Sequence, residues 1–123
     1  MFNAEFYTKE NGEKPARDFI ESFGGKVHAK FIRSIDLLET NGTFLRLPHS
    51  AELQDGIFEL RVQETGNIYR VLYFFYIGKR IILTHGFVKK TQKTPPNEIK
   101  RAKQYRENFL ANEGKRKERK GNE

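Results

Sequence analysis

Residues 53–91 read LQDGIFELRVQETGNIYRVLYFFYIGKRIILTHGFVKKT, and this stretch decides the fold. Apolar and polar residues alternate along residues 57–64, so that they fall on opposite faces of a strand. Residues 68–76 and 80–88 are rich in aromatic and β-branched side chains, which favour strands. The pattern predicts a three-stranded antiparallel meander.

Two short turns set the register of this meander. A tight turn at Thr65-Gly66 pairs Arg61 with Arg70. A two-residue hairpin turn at Gly78-Lys79, in which glycine supplies the positive φ, pairs Arg70 with Phe87. One row across the sheet is therefore predicted to carry Arg61, Arg70 and Phe87. A shift of one residue in either hairpin would scatter the row, because neighbouring residues point to opposite faces.

The two faces of the predicted sheet differ in polarity. The face without the arginines is apolar and needs a cover of helices; it is predicted to hold Phe58, Leu60, Val62, Tyr69, Val71, Tyr73, Phe75 and Ile82. The face with the arginines carries a smaller apolar set, Ile57, Leu72, Phe74 and Leu83. The C-terminal helix is expected to cover part of this second set, and any part left open would be available to a protein partner.

The chain before the meander predicts one strand, two helices and a loop. Residues 2–7 alternate weakly and predict a short strand at an edge of the sheet. Residues 15–23 and 26–40 predict two amphipathic helices, the first opened by a proline and the second with apolar residues at three- and four-residue spacing. Residues 43–54 predict a loop that leads into the meander. The two helices are expected to back the apolar face.

The chain after the meander predicts a C-terminal helix over residues 96–112, ended by Gly114. Residues 115–123 then carry five cations and two anions, a pattern that fits a solvated, disordered end as well as it fits contact with nucleic acid. The predicted fold class is α+β, with an antiparallel sheet, two N-terminal helices and a C-terminal helix. We expect one domain over residues 1–113 and a basic, disordered tail over residues 114–123.

Length and composition restrict the kinds of function. The chain has 123 residues, which suffices for one domain with a hydrophobic core. It has no cysteine and only three histidines without ligand spacing, so we expect no disulfide, no metal and no other cofactor. It lacks a signal peptide and any run of roughly 20 apolar residues, so we expect a cytoplasmic protein without a membrane partner. The net charge of +7 favours a polyanionic partner.

Arg61 and Arg70 are predicted neighbours, and two adjacent guanidinium groups repel each other unless an anion lies between them. That anion would be an RNA phosphate, or else the carboxylate of Glu59 or Glu64 on a solvated face. The sequence leaves both alternatives open.

Four residues near the end of the meander are further candidates. Lys89 and Lys90 would add cations at the same edge, although such a pair is often simply solvated. Phe87 would stack on an extruded base or pack in the core. His85 would carry a proton near neutral pH or serve a structural role. RNA can be cleaved without a metal, because its 2′-hydroxyl is an internal nucleophile and cations can stabilise the developing charge.

Three segments together resemble the HigB branch of the RelE/ParE toxin superfamily, including its phage-derived members. They are LQDGIFELR at residues 53–61, Tyr69-Arg70-Val71, and HGFVKKT at residues 85–91, followed by Pro95 and a helix. The resemblance covers roughly residues 2–112. It implies a RelE-like fold and a ribosome-dependent mRNA endonuclease (mRNA interferase) that inhibits translation as the toxin of a type II toxin–antitoxin system.

The resemblance also implies site residues and partners. The positions that match the family's motif are Arg61, Arg70, Phe87, Lys89 and Lys90. With the residues chosen from the sequence pattern, the catalytic candidates are Arg61, Arg70, Lys89, Lys90 and His85, and the RNA-binding candidates are Phe87, Arg46, His49 and Lys93. Several RelE-like nucleases have lysines where this chain has Arg46 and His49, so the general base stays open. The implied partners are mRNA, the ribosome and a small antitoxin with a helix-turn-helix domain. A ParE-like inhibitor of DNA gyrase and a non-catalytic nucleic-acid-binding module remain as alternatives.

Overall fold

The computed structural model describes residues 1–121, with side chains as far as residue 116. Five strands form one sheet in the order β1-β5-β4-β3-β2. The elements are β1 (Asn3–Phe6), α1 (Pro15–Glu21), α2 (Gly25–Asn41), a short 3-10 helix (Gly42–Phe44), β2 (Ser50–Gln54), β3 (Ile57–Glu64), β4 (Asn67–Tyr76), β5 (Arg80–Lys89) and α3 (Pro96–Gly121). The α+β class is therefore confirmed.

The sheet is mixed, so the expectation of a purely antiparallel sheet was wrong. β1 lies at the edge, as expected, but it pairs parallel with β5, and the long chain between these two strands supplies the crossover that parallel strands require. Residues 50–54 were expected to be a loop and instead form β2, which pairs antiparallel with β3. A turn at Asp55-Gly56, where both residues have positive φ, makes this extra hairpin possible.

The predicted row across the sheet is confirmed. Arg61 lies opposite Arg70, and Arg70 lies opposite Phe87. The turn at Thr65-Gly66 has the positive φ at both residues that a tight hairpin of this kind requires, with values of 49° and 79°.

The connection between β4 and β5 differs from the prediction, yet the register at Phe87 is the same. Tyr76 pairs with Arg80, so the loop has three residues rather than two. The register then shifts by one residue where β5 bulges at Thr84, whose hydroxyl donates to the carbonyl of Leu72 at 3.1 Å. The bulge cancels the longer loop, and Arg70 meets Phe87 after all.

Helices cover both faces of the sheet. α1 and α2 pack on the face that holds Leu60, Val62 and Tyr73, and α3 packs on the opposite face through Ala102 and Phe109. Because of the bulge, Ile82 lies under α3 and Leu83 under the N-terminal helices, the reverse of the expectation. The other members of the small apolar set, Ile57, Leu72 and Phe74, are covered by α3.

Polar contacts fix α3 on its face. The ammonium group of Lys103 pairs with the carboxylate of Asp55, and the guanidinium of Arg106 donates to the Asp55 carbonyl at 2.6 Å. Nearer the other end, the guanidinium of Arg80 bridges the carboxylates of Glu5, at 2.7 Å, and Glu113, at 3.0 Å. α3 is therefore held at both ends of its contact with the sheet.

α3 does not end at Gly114, so that prediction was wrong. The helix continues to Gly121, since glycine in a helix interior is costly but not excluded. Residues 122 and 123 of the expected tail lie outside the described residues. Within residues 1–121, none of the helices is long and apolar enough to cross a lipid bilayer.

Candidate nucleic-acid interface

Glu59 is the anion between the two arginines. Its side chain is fully buried, and one carboxylate oxygen accepts a hydrogen bond from Nε of Arg61 at 2.6 Å. The other oxygen accepts from the hydroxyl of Thr94 and lies 3.1 Å from Nε of Arg70. The carboxylate alternative left open by the sequence is therefore the one found, but in a buried position rather than on a solvated face.

Arg70 lies inside the protein. It is 0% exposed, its guanidinium lies 5.9 Å from the centre of the Phe87 ring, and one terminal nitrogen donates to the carbonyl of Thr91. Its other terminal nitrogen has no hydrogen-bond partner among the described residues. Burial lowers the pKa of Arg70, and the nearby carboxylate of Glu59 acts in the opposite direction. Arg70 thus supports the loop after β5 and has no direct path to a ligand in solvent.

His85 and Phe87 are also buried, beneath α3. His85 is 3% exposed, its Nε2 lies 3.4 Å from the carboxylate of Glu98, and its ring stands edge-on to Tyr105. Burial lowers the pKa of His85 to about 4, against the opposing effect of Glu98. The imidazole is therefore neutral near pH 7, and this position favours the structural alternatives for both residues.

A cleft of 290 Å³ opens where β3 extends past the end of β2, and it is referred to as the α2 cleft. β2 pairs with β3 only as far as Leu60, after which the backbone N–H of Arg61 donates to the carbonyl of His49 at 2.8 Å. The lining residues come from α2 (Lys30, Arg33, Ser34, Leu37), the loop before β2 (Pro48, His49) and β3 (Arg61, Val62, Gln63). Four basic side chains and no carboxylate therefore line this cleft among the described residues.

A second depression of 360 Å³, the hairpin groove, lies at the Thr65-Gly66 turn. It adjoins the α2 cleft at Lys30 and Gln63, which line both, and it also includes Lys90, Gln92 and Glu64, whose carboxylate pairs with Lys30. Arg61 links them, since a terminal nitrogen of its guanidinium donates to the Gln92 carbonyl at 3.0 Å. A continuous basic surface therefore runs from α2 across the end of β3 to the loop after β5.

The remaining predicted residues are exposed around this surface. Lys89 and Lys93 are exposed, and their side chains form no hydrogen bond or ion pair with any described residue. Arg46 is exposed too, but its guanidinium donates to the carbonyls of Thr43 and Leu45 and so stabilises its own loop. The structure thus separates the predicted residues into a buried group, Arg70, His85 and Phe87, and an accessible group, Arg61, Lys90, His49, Lys89, Lys93 and Arg46.

Sequence reasoning missed the contribution of α2. Lys30 and Arg33 line the α2 cleft, and Lys26 stands one turn earlier on the same helix. Their spacing of four and three residues puts them on one side of the helix, a signal that was present in the sequence. This spacing was uninformative alone, because a charged helix face is usually just solvated. The cations become part of a cleft only because α2 packs beside the uncovered edge of β3, which forms the other side of that cleft.

The accessible group can bind and neutralise phosphate groups. Arg61 is held in place by Glu59 and Gln92, so its guanidinium is oriented before any ligand arrives. His49 supplies an imidazole to the same cleft, and imidazoles are the commonest general acids and bases in enzymes. An oriented guanidinium, free ammonium groups and an imidazole are the groups that metal-independent RNA cleavage would use.

No curated protein matches the chain at a significant level. A family model does match, and it covers residues 18–107, which include α2, the whole meander and the first half of α3. The chain belongs to the family described as phage-derived protein Gp49-like (DUF891).

Proposed function

We propose that this protein is the toxin of a type II toxin–antitoxin system and acts as a ribosome-dependent mRNA endonuclease in the cytoplasm. The Gp49-like family is linked to RelE/HigB-type toxins, which supports a toxin role. The observation that carries the nuclease proposal is the basic surface on which Arg61 is oriented by Glu59 next to His49. A surface lined with cations suits the RNA backbone, whose phosphates dominate affinity.

Cleavage would proceed by attack of a 2′-hydroxyl on the adjacent phosphorus. The bond from the 2′-oxygen to phosphorus forms while the bond to the 5′-oxygen of the next nucleotide breaks, leaving a cyclic phosphate. His49 takes the proton of the 2′-hydroxyl, and the departing 5′-oxygen receives a proton from solvent. Arg61 and Lys90 stabilise the negative charge that grows on the phosphate oxygens.

In this scheme Arg70 acts as a positioning residue. It does not touch RNA, but with Glu59 it fixes the side chain of Arg61 and the carbonyl of Thr91. Phe87 packs against the guanidinium of Arg70, and His85 packs against Glu98 and Tyr105 of α3. The sites of contact with RNA are Arg61, His49, Lys90 and, around them, Lys89, Lys93 and Arg46.

The basic surface is open and shallow, so the protein by itself holds RNA only loosely. A bound ribosome would present one codon in a fixed conformation, and orienting the reacting atoms in this way supplies a large part of the rate acceleration. An acidic segment of an antitoxin with a helix-turn-helix domain would cover the same cations and block the site.

The test is a translation reaction with purified ribosomes, a defined mRNA and the protein, followed by mapping of RNA ends. We expect cuts within ribosome-bound codons for the parent protein. Arg61→Gln should reduce the rate by about 10²- to 10³-fold and His49→Gln by about 10²- to 10⁴-fold. Lys79→Gln is the charge-matched control, because Lys79 lies in the turn between β4 and β5 at the other end of the sheet.

Two outcomes would overturn the proposal. Intact mRNA together with inhibition or DNA cleavage in a DNA gyrase assay would assign the ParE-like activity instead. Binding of RNA without cleavage, under conditions that support translation, would assign a non-catalytic binding module.

A further inference from the structure

Ser34 is a largely buried residue that lines the α2 cleft. The residue is 6% exposed and lines the cleft, and its hydroxyl makes no hydrogen bond within the described part of the chain. The hydroxyl is not among the fully enclosed unpaired polar atoms of the described residues, so it remains accessible from the cleft. An unpaired hydroxyl at the wall of a cleft is therefore available to a ligand.

The surroundings of Ser34 combine an apolar pocket with a basic rim. Leu37, Pro48 and Val62 provide the apolar part of the lining. Lys30 and Arg33 provide cations on the helix side, and Arg33 forms no ion pair or hydrogen bond with any described residue. Lys30 is partly neutralised, because its ammonium group pairs with Glu64 and donates to the Gln63 carbonyl at 2.8 Å.

This combination matches one nucleotide of a single-stranded RNA better than it matches an acidic peptide. A nucleobase has flat apolar faces and a polar edge that can bond to a hydroxyl, and its phosphates would meet the basic rim. A carboxylate side chain would place its charge in the apolar part of the pocket, where desolvation is unfavourable.

A shallow depression continues the α2 cleft along the helix. It is lined by Lys26, Ala29, Lys30 and Arg33, so exposed cations follow one another for about two turns of α2. Such a row of cations can bind successive phosphates of a single-stranded RNA. The RNA backbone would then run along α2.

We propose that the α2 cleft is a nucleobase subsite for single-stranded RNA, in which Ser34 bonds to the edge of the base and Arg33 binds an adjacent phosphate. The RNA as ligand rests on the function proposed above. The subsite lies beside the reacting groups rather than among them, and it would select the nucleotide that neighbours the cleaved bond.

The experiment measures the affinity of the full chain for a short fluorescent RNA with methylated 2′-hydroxyls, which cannot be cut. Ser34→Ala should weaken binding about three- to tenfold, because one hydrogen bond is lost. Arg33→Gln should reduce the slope of log affinity against log salt by about 0.7, the value for one phosphate contact on a single strand. Lys79→Gln should leave both quantities unchanged.

A second oligonucleotide separates the base from the backbone. If one base is removed along the strand, position by position, a single position should weaken binding to the parent protein more than to the Ser34→Ala variant, which has already lost the hydrogen bond to that base. Equal sensitivity in both proteins would overturn the proposal, as would unchanged RNA affinity in the Ser34→Ala and Arg33→Gln variants. Weakened binding of an antitoxin alone would reassign the cleft to a protein partner. Thermal unfolding checks that each variant is folded.

The two proposals fail in different ways. If the parent protein cuts ribosome-bound mRNA and the two α2 variants cut the same bonds with the same preference, the subsite is wrong and the nuclease stands. If the position-dependent binding is found but no RNA is cut, the subsite stands and the nuclease is wrong.

Discussion

Glu59 determines the roles of the arginines around it. Its carboxylate lies between Arg61 and Arg70, and the hydroxyl of Thr94 closes the group from the loop before α3. Arg70 is fully enclosed, whereas the side chain of Arg61 keeps 16% of its surface exposed. Two residues that occupy the same row of the sheet therefore have different roles, one in support and one at the surface.

Replacing Arg70 by alanine should destabilise the fold. The change leaves the buried carboxylate of Glu59 with only Arg61 and Thr94, and breaking a buried ion pair from one side costs about 3–5 kcal/mol. We expect a fall of that size in the free energy of unfolding, measured by urea denaturation.

Two further variants give this prediction its controls. Lys9→Ala removes an exposed ion pair with Glu13 and should change stability by less than about 1 kcal/mol. Arg70→Met combined with Glu59→Leu removes both buried charges and should recover much of the loss. An Arg70→Ala protein as stable as the parent would show that the buried pair does not contribute.

His85 should make stability depend on pH. Its pKa is lowered in the folded state to about 4 from the ordinary 6.5, so between these values the unfolded chain takes up a proton that the folded chain does not. The contribution of His85 is complete above pH 6.5 and is lost as the pH falls towards 4, by roughly 3 kcal/mol at most. Urea denaturation between pH 7 and pH 5 should therefore show falling stability.

The other histidines provide the comparison for this experiment. His85→Gln should flatten the dependence over that interval, while His28→Gln should keep it, since His28 lies partly exposed on α2. A slope that persists in His85→Gln would assign the pH dependence to another group.

At the scale of the elements, two glycines test how the helices are placed. A Cβ atom at Gly86 in β5 would lie 2.2 Å from the ring of Phe19, so Gly86→Ala should push α1 from the sheet and cost about 1–3 kcal/mol. Gly114 lies within α3 with no atom within 4 Å of an added Cβ. Gly114→Ala should therefore stabilise the protein by about 0.5–1 kcal/mol.

The opposite signs make this pair of substitutions informative, and thermal or urea unfolding of each variant measures them. If Gly114 ended the helix with a left-handed conformation, alanine there would be unfavourable instead. A destabilised Gly114→Ala protein would thus contradict the continuous helix. No loss of stability in Gly86→Ala would mean that Phe19 moves aside without cost.

The bulge at Thr84 shows how two departures at the level of elements can cancel. The loop between β4 and β5 is one residue longer than predicted, and the bulge adds one residue to β5. The row of Arg61, Arg70 and Phe87 survives, but Ile82 and Leu83 exchange faces. The pairing of Arg70 with Phe87 therefore holds because the longer loop and the bulge offset each other, and not through the predicted two-residue turn.

At the scale of the whole molecule, charge divides between the folded part and the C-terminal end. Residues 115–123 carry +3 of the net charge of +7, and α3 carries the first of them beyond the sheet as far as Gly121. We expect a chain that ends at residue 113 to bind RNA more weakly, with a smaller slope of log affinity against log salt, because each phosphate contact on a single strand contributes about 0.7 to that slope.

The positions of cleavage should not change in the shortened chain, because Arg61, His49 and the α2 cleft remain. RNA-end mapping with purified ribosomes, beside the salt titration, checks both parts. An unchanged slope would mean that the basic end does not approach RNA, and altered cleavage positions would mean that it helps to choose them.

The sequence by itself determined the meander, the tight turn at Thr65-Gly66 with its pairing of Arg61 and Arg70, and the presence of a basic surface. These features depend on a period of two residues, on local turn chemistry and on charge, all of which can be read from neighbouring residues.

Only the tertiary structure decided which of these charges meet solvent. Arg70 is buried because Thr91 and Thr94, 21 and 24 positions along the chain from it, close over its row with Glu59 between. Lys30 and Arg33 become part of a cleft because α2 packs beside an edge of β3 that β2 leaves uncovered. The burial of a side chain and its pairing depend on elements that are distant in sequence, so neither can be predicted from the residue's own neighbours in the chain.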